Sequence, residues 1–406
     1  MLTSLDAGRR PPRPGAAVRA GRLRRPAAAV LAVALVAGCG AAVSQPSVPL
    51  APLASPADPR SLHGLCPDPV VVQTGWYPPA DFAGLYQLLG EGYRVDRNHK
   101  TVSGRLVAGG VDTGVGLEIR SGGPAIGYQL VPAQMYLDRA ITLGTVITDE
   151  AIQFSAGQPT TATVALLDGD PQILLWDPAT HPDWNSIVDI GQTDSTVVYY
   201  QGAMYMEYLV ATGQLRRRQT DGSYDGTPAR FTSERGAVAV QGYATNEPWV
   251  LEHEVAAWHR PVRYQLVSET GYPQYANMLA IRTGDRPRLD GCLRRLVPLV
   301  QRAQVEFLAH PAGTLRRIVS LVAALHTGFT YTQANADFAV GQLRDLGLAG
   351  NGNNRTLGDF DSGRLQRMID IVVPIVAAEH RAVRQPLRPE DLATNDYVDP
   401  AIGLPS

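Results

Sequence analysis

The sequence predicts an α/β protein, because short β-branched strands alternate with glycine turns and helices along most of the chain. The chain has 406 residues, of which 45% are hydrophobic, so it has enough apolar content for a large core. Its 36 basic and 38 acidic residues give a formal net charge of −2, and no basic surplus is present to neutralise a phosphate backbone. We therefore expect a globular α/β protein with no nucleic-acid partner.

The first forty residues have the pattern of a bacterial lipoprotein signal. Seven arginines between positions 9 and 25 precede an apolar run at 27–37, which is shorter than the ~20 residues of a membrane span. The run ends in small residues directly before Cys39. This pattern predicts a signal peptide at 1–38 and a lipid on Cys39, whereas the alternative is an ordinary secretory signal with an incidental cysteine. We expect a chain held at the extracytoplasmic face of the cell membrane through its lipid alone.

A proline-rich segment follows the predicted cleavage site. Residues 39–65 are predicted to form an extended, solvated tether, because prolines recur among alanine and serine at positions 46, 49, 52, 56 and 59. Only Cys66 and Cys292 then remain as thiols. An extracytoplasmic compartment permits a disulfide between them, while two unrelated buried thiols is the alternative.

The alternation of strand, turn and helix is clearest in three places. Residues 70–74 are expected to form a buried strand followed by a helix at 82–90. A strand at 117–120 meets a glycine turn at 121–125, and a strand at 196–200 leads into a helix at 204–211 that Gly213 ends. Because ligands bind outside the carboxyl ends of parallel strands, we expect these turns to face a ligand.

The last third of the chain is predicted to be helical. Between 290 and 376, leucine and valine recur at helical spacing, so we expect helices that cover one face of a sheet. Pro298 and Pro374 are expected to kink or end helices, and Asp361 to cap one. The polar tail at 385–406 is expected to run over the surface.

The familiar catalytic motifs are absent from the sequence. The chain has no Gly-x-Ser-x-Gly, no Cys-x-x-Cys and no Gly-x-Gly-x-x-Gly pattern. His253-Glu254 is not followed by the second histidine of a zincin, and Lys100 has no glycine loop before it. These observations predict no catalytic residues, no metal site and no cofactor, and they favour a binding protein over an enzyme.

Three segments resemble the substrate-binding proteins of ABC importers for nitrate, sulfonates, taurine and thiamine-pyrimidine precursors. Gly-Trp-Tyr-Pro-Pro-Ala-Asp-Phe-Ala-Gly-Leu-Tyr at 75–86 is similar to the opening of that group, and Thr-Asn-Glu-Pro at 245–248 is similar to its most specific signature. Thr-Asn-Asp-Tyr-Val-Asp-Pro at 394–400 matches the closing segment. The chain departs from the pyrimidine-precursor binders at Phe82, where they usually carry a histidine.

The resemblance implies a type II periplasmic-binding-protein fold, in which two α/β lobes joined by two crossovers hold the ligand in the cleft. We expect lobe 1 at 66–185 and 263–406 and lobe 2 at 186–262. The partners that it implies are a small-molecule ligand and an ABC permease with its ATPase subunit. The chain itself is expected to be a monomer. The alternatives are an extracytoplasmic enzyme acting on a heterocycle and a sensor that presents the ligand to a receptor.

The residues expected to bind the ligand come from both lobes. Trp76 and Tyr77 follow the first strand and are expected to stack on a flat ligand, although core packing explains two aromatic residues equally well. Glu247 is expected to accept a ligand N–H, or alternatively to pair with an arginine across the hinge. Backbone amides of glycine turns and the residues beside the two motifs complete the predicted site: Asp81, Gly122, Gly123, Gln201, Gly202, Ala203 and Asn246. A carboxylate beside aromatic rings favours a pyrimidine-like ligand, with sulfonate, taurine or nitrate next.

Overall fold

A computed structural model describes residues 50–405, so the predicted signal peptide and Cys39 lie outside the described residues. The strands of this part, numbered in chain order, are β1 Val70–Gln73, β2 Arg94–Asp96, β3 Thr101–Ala108, β4 Val111–Arg120, β5 Leu143–Val146, β6 Thr160–Ala165, β7 Gln172–Trp176, β8 Val197–Val198, β9 Thr220–Asp221, β10 Ala239–Tyr243, β11 Arg263–Leu266 and β12 Met278–Arg282.

Helices of very different length connect and cover these strands. They are α1 Ala83–Gln87, α2 Val131–Leu137, α3 Thr148–Gln153, α4 Ile187–Gly191, α5 Met204–Ala211, α6 Ala229–Ser233, α7 Glu247–Trp249, α8 Arg286–Ala309, α9 Ala312–Leu325, α10 Gln333–Asp345, α11 Ser362–Ala378 and α12 Pro389–Leu392. Short 3-10 turns occur at Ala80–Phe82 and Gly123–Ile126, and a π-helical turn follows α7 at Val250–Glu254. Within 50–405, no helix is both long enough and apolar enough to cross a membrane.

Lobe 1 is built on a seven-stranded sheet with the order β2-β3-β4-β1-β5-β12-β6. Its centre is parallel, because β1 pairs in parallel with both β4 and β5. β12 runs antiparallel between β5 and β6. The carboxyl ends of β1 and β5 therefore lie side by side at one edge of the sheet, where the turns that follow them meet.

Lobe 2 is built on a five-stranded sheet with the order β11-β7-β10-β8-β9. The chain enters this lobe through residues 166–171, between β6 and β7, and leaves it through 267–277, between β11 and β12. Two α/β lobes joined by two crossovers confirm the type II periplasmic-binding-protein fold. The predicted lobe boundaries differ from the structure, since β7 and β11 belong to the sheet of lobe 2 although both were expected in lobe 1.

The end of the predicted tether packs on lobe 1 instead of staying solvated. Ala54 N–H donates to the carbonyl of Asp112 and Leu62 N–H to that of Thr113, each over 2.8 Å. Leu62 is fully buried. Cys66, directly after this segment, forms a disulfide with Cys292 on α8, with the two Cα atoms 4.7 Å apart. The lobe therefore begins before residue 66, because a buried leucine and paired backbone groups hold the entering chain against β4.

The helical last third covers both faces of the lobe 1 sheet, not the one face expected. Along β1, Val70 and Val72 belong to one apolar cluster and Val71 to the other, as alternation along a strand requires. Helices α8, α9 and α10 pack in the first cluster and α11 in the second. Pro298 and Pro374 end neither α8 nor α11, which continue past them. Asp361 caps α11 as predicted, accepting from Arg364 N–H.

Candidate ligand-binding site between the lobes

A cavity of about 240 Å³ lies between the two lobes, at the carboxyl ends of strands from both sheets. A cavity of this size suits a small molecule. Lobe 1 contributes the turns after β1, β4 and β5, and lobe 2 contributes those after β8 and β10. Both crossovers reach the wall, through Asp170 from one and Gln274 from the other.

Aromatic side chains line much of the cavity. Eight of them take part, four on each lobe: Trp76, Phe82, Tyr128 and Phe329 on lobe 1, and Tyr200, Tyr205, Tyr224 and Tyr243 on lobe 2. Trp76 is half-buried after β1, and its ring lies 6.1 Å from that of Tyr128. Gly226 of lobe 2 approaches Trp76 so closely that an added Cβ would lie 3.3 Å from the indole. Aromatic side chains of this kind can stack on a planar ligand.

Five carboxylates line the same cavity: Asp81, Asp149, Glu150, Asp170 and Glu247. Asp81 is buried in the turn after β1 and accepts a hydrogen bond from Thr245 Oγ of lobe 2 at 3.1 Å. Burial raises the pKa of Asp81 to about 6, although the Thr245 hydroxyl opposes the shift. This hydrogen bond joins the lobes across the floor of the cavity.

Asp149 and Glu150 occupy the first turn of α3, directly after β5. Asp149 is buried and accepts from the Tyr272 hydroxyl at 2.8 Å. Burial raises its pKa to about 7, while burial and the neighbouring Asp149 charge raise the pKa of Glu150 to about 8. In the described chain no side chain donates to Glu150. The backbone N–H of Ile147 lowers the pKa of Glu150, but by less than burial and the Asp149 charge raise it.

Asp170 and Gln274 connect the two crossovers through a hydrogen bond between their side chains. Burial raises the pKa of Asp170, and Gln274 opposes that shift. Gln274 is 2% exposed, and its Oε1 has no hydrogen-bond partner among residues 50–405. A buried acceptor without a donor costs about 1–3 kcal/mol, so this oxygen beside the cavity is suited to a donor from a ligand.

Glu247 accepts more hydrogen bonds than the other acids of the cavity. It accepts from Tyr243 N–H at 2.6 Å, from the Tyr224 hydroxyl at 3.2 Å and from the Asn246 amide at 3.2 Å. Burial raises its pKa, and the Tyr243 N–H is the main opposing contact. No arginine lies within ion-pair distance of Glu247 in the described residues, so the alternative of a hinge salt bridge is wrong. Its carboxylate holds the turn after β10 while also lining the cavity.

None of the residues lining the cavity is an arginine, lysine or histidine. The basic group that acts on the cavity acids is Arg364, which lowers the pKa of Asp170 from outside the wall. Its guanidinium is occupied by the backbone carbonyls of Asp168, Pro273 and Gln274. Within the described range, no three His, Cys, Asp or Glu side chains are grouped to hold a metal ion. The cavity thus presents acidic groups without a cationic partner in its wall, together with aromatic faces.

The lobes also touch around the rim of the cavity. The Tyr200 hydroxyl of lobe 2 donates to the Tyr128 carbonyl of lobe 1 at 2.8 Å, and the Tyr128 hydroxyl donates to the Asp225 carbonyl at 3.2 Å. On the opposite side, Asn335 of α10 donates to Asn246 at 2.9 Å. These hydrogen bonds describe a closed arrangement of the two lobes.

The structure brings most of the predicted binding residues to this cavity, although whether they bind a ligand stays a prediction. The predicted residues that line it are Trp76, Asp81, Gly123, Gly202, Ala203, Asn246 and Glu247. Tyr77 lies behind the wall, where it is buried and stacked on Phe329. Gly122 donates its N–H to Trp76, and Gln201 is exposed, so neither lines the cavity. Ala203 N–H is already bonded to the Tyr200 carbonyl.

The sequence analysis did not predict three of the five acids, Asp149, Glu150 and Asp170, or any of the five tyrosines that line the cavity. Asp149 and Glu150 follow β5 as directly as Trp76 follows β1, so the rule that selected Trp76 would have selected them. Asp170, in Gly-Asp-Pro at 169–171, has only the signal of a turn. Tyr128 and Phe329 lie in loops remote from any motif, and nothing in the sequence distinguishes them.

Known proteins resemble this chain in fold but not in sequence. No family model matches it, and no curated protein matches it. A solved structure from Bordetella bronchiseptica RB50 is 12% identical, with a TM-score of 0.51, over 82% of this chain and 96% of its own. The alkanesulfonate-binding protein of Xanthomonas axonopodis pv. citri bound to MOPS is 9% identical, with a TM-score of 0.49, over 81% of this chain and 100% of its own.

The ligand-binding component of an ABC-type import system from Staphylococcus aureus, with zinc bound, is 11% identical, with a TM-score of 0.47. It is matched over 81% of this chain and 97% of its own. At such identities the likeness concerns the fold alone. The chemistry of the ligand must therefore be argued from the cavity of this chain.

Proposed function

We propose that this chain is the solute-binding component of an ABC importer. In this proposal a lipid on Cys39 holds a monomer outside the cytoplasm, and the protein delivers a small planar, nitrogen-bearing ligand to a permease and its ATPase subunit. The observation that carries it is the cavity between two lobes that are connected by two crossovers. Such a connection lets the lobes hinge apart to admit a ligand and close to retain it.

Closure needs a ligand that contacts both lobes. The hydrogen bonds at the rim and floor are few, and several are exposed to water, where each contributes only about 0.5–1.5 kcal/mol. A ligand between Trp76 of lobe 1 and the tyrosines of lobe 2 would add contacts that exist only in the closed form. The ligand thereby shifts the population toward the closed form, which is the form a permease can distinguish.

The cavity favours a nitrogen-bearing ligand over sulfonate, taurine or nitrate. Its aromatic walls suit a planar ring, and its acids accept hydrogen bonds from ring or amino nitrogen. A sulfonate or nitrate would meet five carboxylates and no basic side chain in the wall. An anion would find no cationic partner in this wall and would oppose ionisation of its acids further, so these anions are disfavoured.

A binding screen tests the proposal. Thermal shifts of the purified chain with pyrimidines, other nitrogen heterocycles, sulfonates and nitrate should show stabilisation by a nitrogen-bearing compound. A ligand at 100 times its Kd adds about 2.7 kcal/mol to the free energy of unfolding. Stoichiometric binding without product supports a transport component. Turnover of the bound compound would instead establish the alternative, an enzyme that acts on a heterocycle.

The aromatic wall is tested by Trp76→Ala, with Tyr93→Ala as the control. Tyr93 is also half-buried on lobe 1 but does not line the cavity. Trp76→Ala should weaken binding of the screened ligand by roughly 1–3 kcal/mol, as expected for a buried contact, without loss of the fold. Equal affinity in the two variants, measured by calorimetry, would exclude Trp76 from the site.

The anchor is tested by Cys39→Ala. The variant should remain unlipidated and be released, at least in part, from the membrane, because Cys39 is the proposed acceptor of the lipid. Fractionation and mass spectrometry measure both effects. A lipidated, membrane-retained variant would show that the anchor is elsewhere.

A further inference from the structure

Five acids and a buried amide oxygen place hydrogen-bond acceptors in the wall of the interlobe cavity, and two of these groups, Glu150 and Gln274 Oε1, have no side-chain donor among the described residues. Asp149 and Glu150 face it from α3, Asp81 from the turn after β1, and Glu247 from the turn after β10. To these acids the buried Gln274 adds an Oε1 that no described group satisfies. A buried acceptor that lacks a donor in the protein is stabilised when a ligand brings one.

The charges of the cavity are similarly uncompensated. Buried carboxylates in proteins are normally paired with a cation or bound to a metal. Here no basic side chain lines the wall, and the carboxylates of residues 50–405 are not grouped as metal ligands. Burial accordingly raises the pKa of Asp149 to about 7 and, together with the Asp149 charge, that of Glu150 to about 8. A positive charge inside the cavity would remove this cost.

We propose that the ligand is a small organic cation that bears N–H groups, such as an amidinium, a guanidinium or a protonated amine on a planar frame. The inference rests on the proposed function and specifies the class of solute. Aromatic faces attract such cations in addition to the acids, because the ring faces carry negative potential. Glu150, which has no side-chain donor, is assigned the direct ion pair, and Gln274 Oε1 accepts from a second N–H.

A set of four aromatic probes separates the effect of the ligand's charge from the effect of its shape. Benzamidine, benzamide and benzoate share one planar frame and carry positive, zero and negative charge, while phenyltrimethylammonium carries positive charge without N–H groups. With the purified full-length chain, calorimetry should rank benzamidine first, benzamide and phenyltrimethylammonium well below it, and benzoate last. If benzoate or benzamide binds as tightly as benzamidine, the proposal that the ligand is a cation is wrong. If phenyltrimethylammonium binds as tightly as benzamidine, the proposal that the ligand donates N–H groups is wrong.

Glu150→Gln, with Glu252→Gln as the control, tests the assigned ion pair. Glu252 is exposed on lobe 2 and does not line the cavity. Glu150→Gln should weaken benzamidine binding by roughly ten- to a hundred-fold, the value of a hydrogen bond to a charged group, and leave benzamide binding nearly unchanged. Glu252→Gln should change neither. Equal loss for both probes would show that Glu150 acts through shape and not charge.

The two proposals fail in different ways. If a neutral or anionic compound from the screen binds and closes the lobes while benzamidine and other cations do not bind at millimolar concentration, the cation proposal is wrong and the solute-binding function stands. If no compound of either set binds, both fail. Small-angle scattering with and without the bound compound measures closure.

Discussion

The lobe 1 and lobe 2 walls of the cavity hold their carboxylates in different ways. On lobe 2, Glu247 receives two hydrogen bonds from its own turn and a third from the Tyr224 hydroxyl, so its carboxylate is part of the structure of that turn. On lobe 1, Asp149 receives one side-chain hydrogen bond and Glu150 receives none within the described residues. Both walls lie at the carboxyl ends of strands, yet only the wall of lobe 1 has free carboxylate capacity.

This difference distinguishes an acid that stabilises the fold from acids that are available to bind a ligand. A carboxylate that is satisfied by the protein loses those contacts when it is substituted, and stability falls. A carboxylate that is buried without partners raises the energy of the folded protein when it is ionised, so its removal is harmless or stabilising. The sequence motif contains Glu247, whereas the acids with unmet partners lie outside every motif.

The largest expected effect is the pH dependence conferred by Asp149. Because its folded pKa is raised from 3.8 to about 7, the folded state retains a proton that the unfolded state has lost between these values. Its contribution to stability is present below pH ~4 and is lost as pH rises toward ~7, by on the order of 4 kcal/mol. Asp149→Asn removes this titration, so the Tm of the ligand-free variant should fall less between pH 5 and pH 8.

Asp183→Asn is the matched control for this pH series. Asp183 is exposed, and its side chain makes no hydrogen bond or ion pair in the described part of the chain. Tyr272, Asp170 and Glu150 are the titratable groups that act with Asp149, and they are unchanged in both variants. If Asp149→Asn and Asp183→Asn show the same slope of Tm with pH, the uncompensated charge is not on Asp149.

The next largest effect is a difference in the free energy of unfolding between Glu247→Ala and Glu150→Ala in the ligand-free protein. Glu247→Ala leaves the Tyr243 N–H and the Tyr224 hydroxyl without their acceptor, and should lower the free energy of unfolding by roughly 1–3 kcal/mol. Glu150→Ala removes an acid to which no described side chain donates, and should leave the free energy of unfolding unchanged or raise it. Urea denaturation measures both, and equal losses would remove the distinction between the two walls.

Much of the fold could be predicted from the sequence, because hydrophobic pattern and turn residues determine it locally. Val70 to Val72 are β-branched, apolar and buried, and the helix Met204–Ala211 ends before a glycine at φ 73°, as the sequence indicated. The lobe boundaries were not predictable in this way. Gly169-Asp170-Pro171 reads as any surface turn, yet it lies in a crossover, because the pairing of β7 with β10 and β11 is decided by contacts remote in sequence.

The candidate site was predictable only where a motif or a strand end marked it. Trp76, Asp81 and Glu247 lie in the two motifs and line the cavity. Tyr77 follows the same strand, but its side chain is buried and stacked on Phe329 behind the wall, which no local pattern in the sequence indicates. Gln274 lies in a crossover, and its unpaired Oε1 is a property of packing that no local pattern contains.

The smallest expected effect concerns the rim, where the two walls meet. Tyr200→Phe removes the hydroxyl that donates to the Tyr128 carbonyl at an exposed position, a contact of about 0.5–1.5 kcal/mol that exists only when the lobes are closed. The ligand-bound protein should therefore open more often, and the ligand should dissociate up to about ten-fold faster.

Tyr93→Phe is the control, because the Tyr93 hydroxyl makes no hydrogen bond to the residues described. Stopped-flow dissociation and fluorescence between labels on the two lobes measure the effect. Unchanged dissociation in Tyr200→Phe would mean that the contact at the rim adds nothing to closure and that the walls are held together by the ligand and by the Asp81–Thr245 hydrogen bond at the floor.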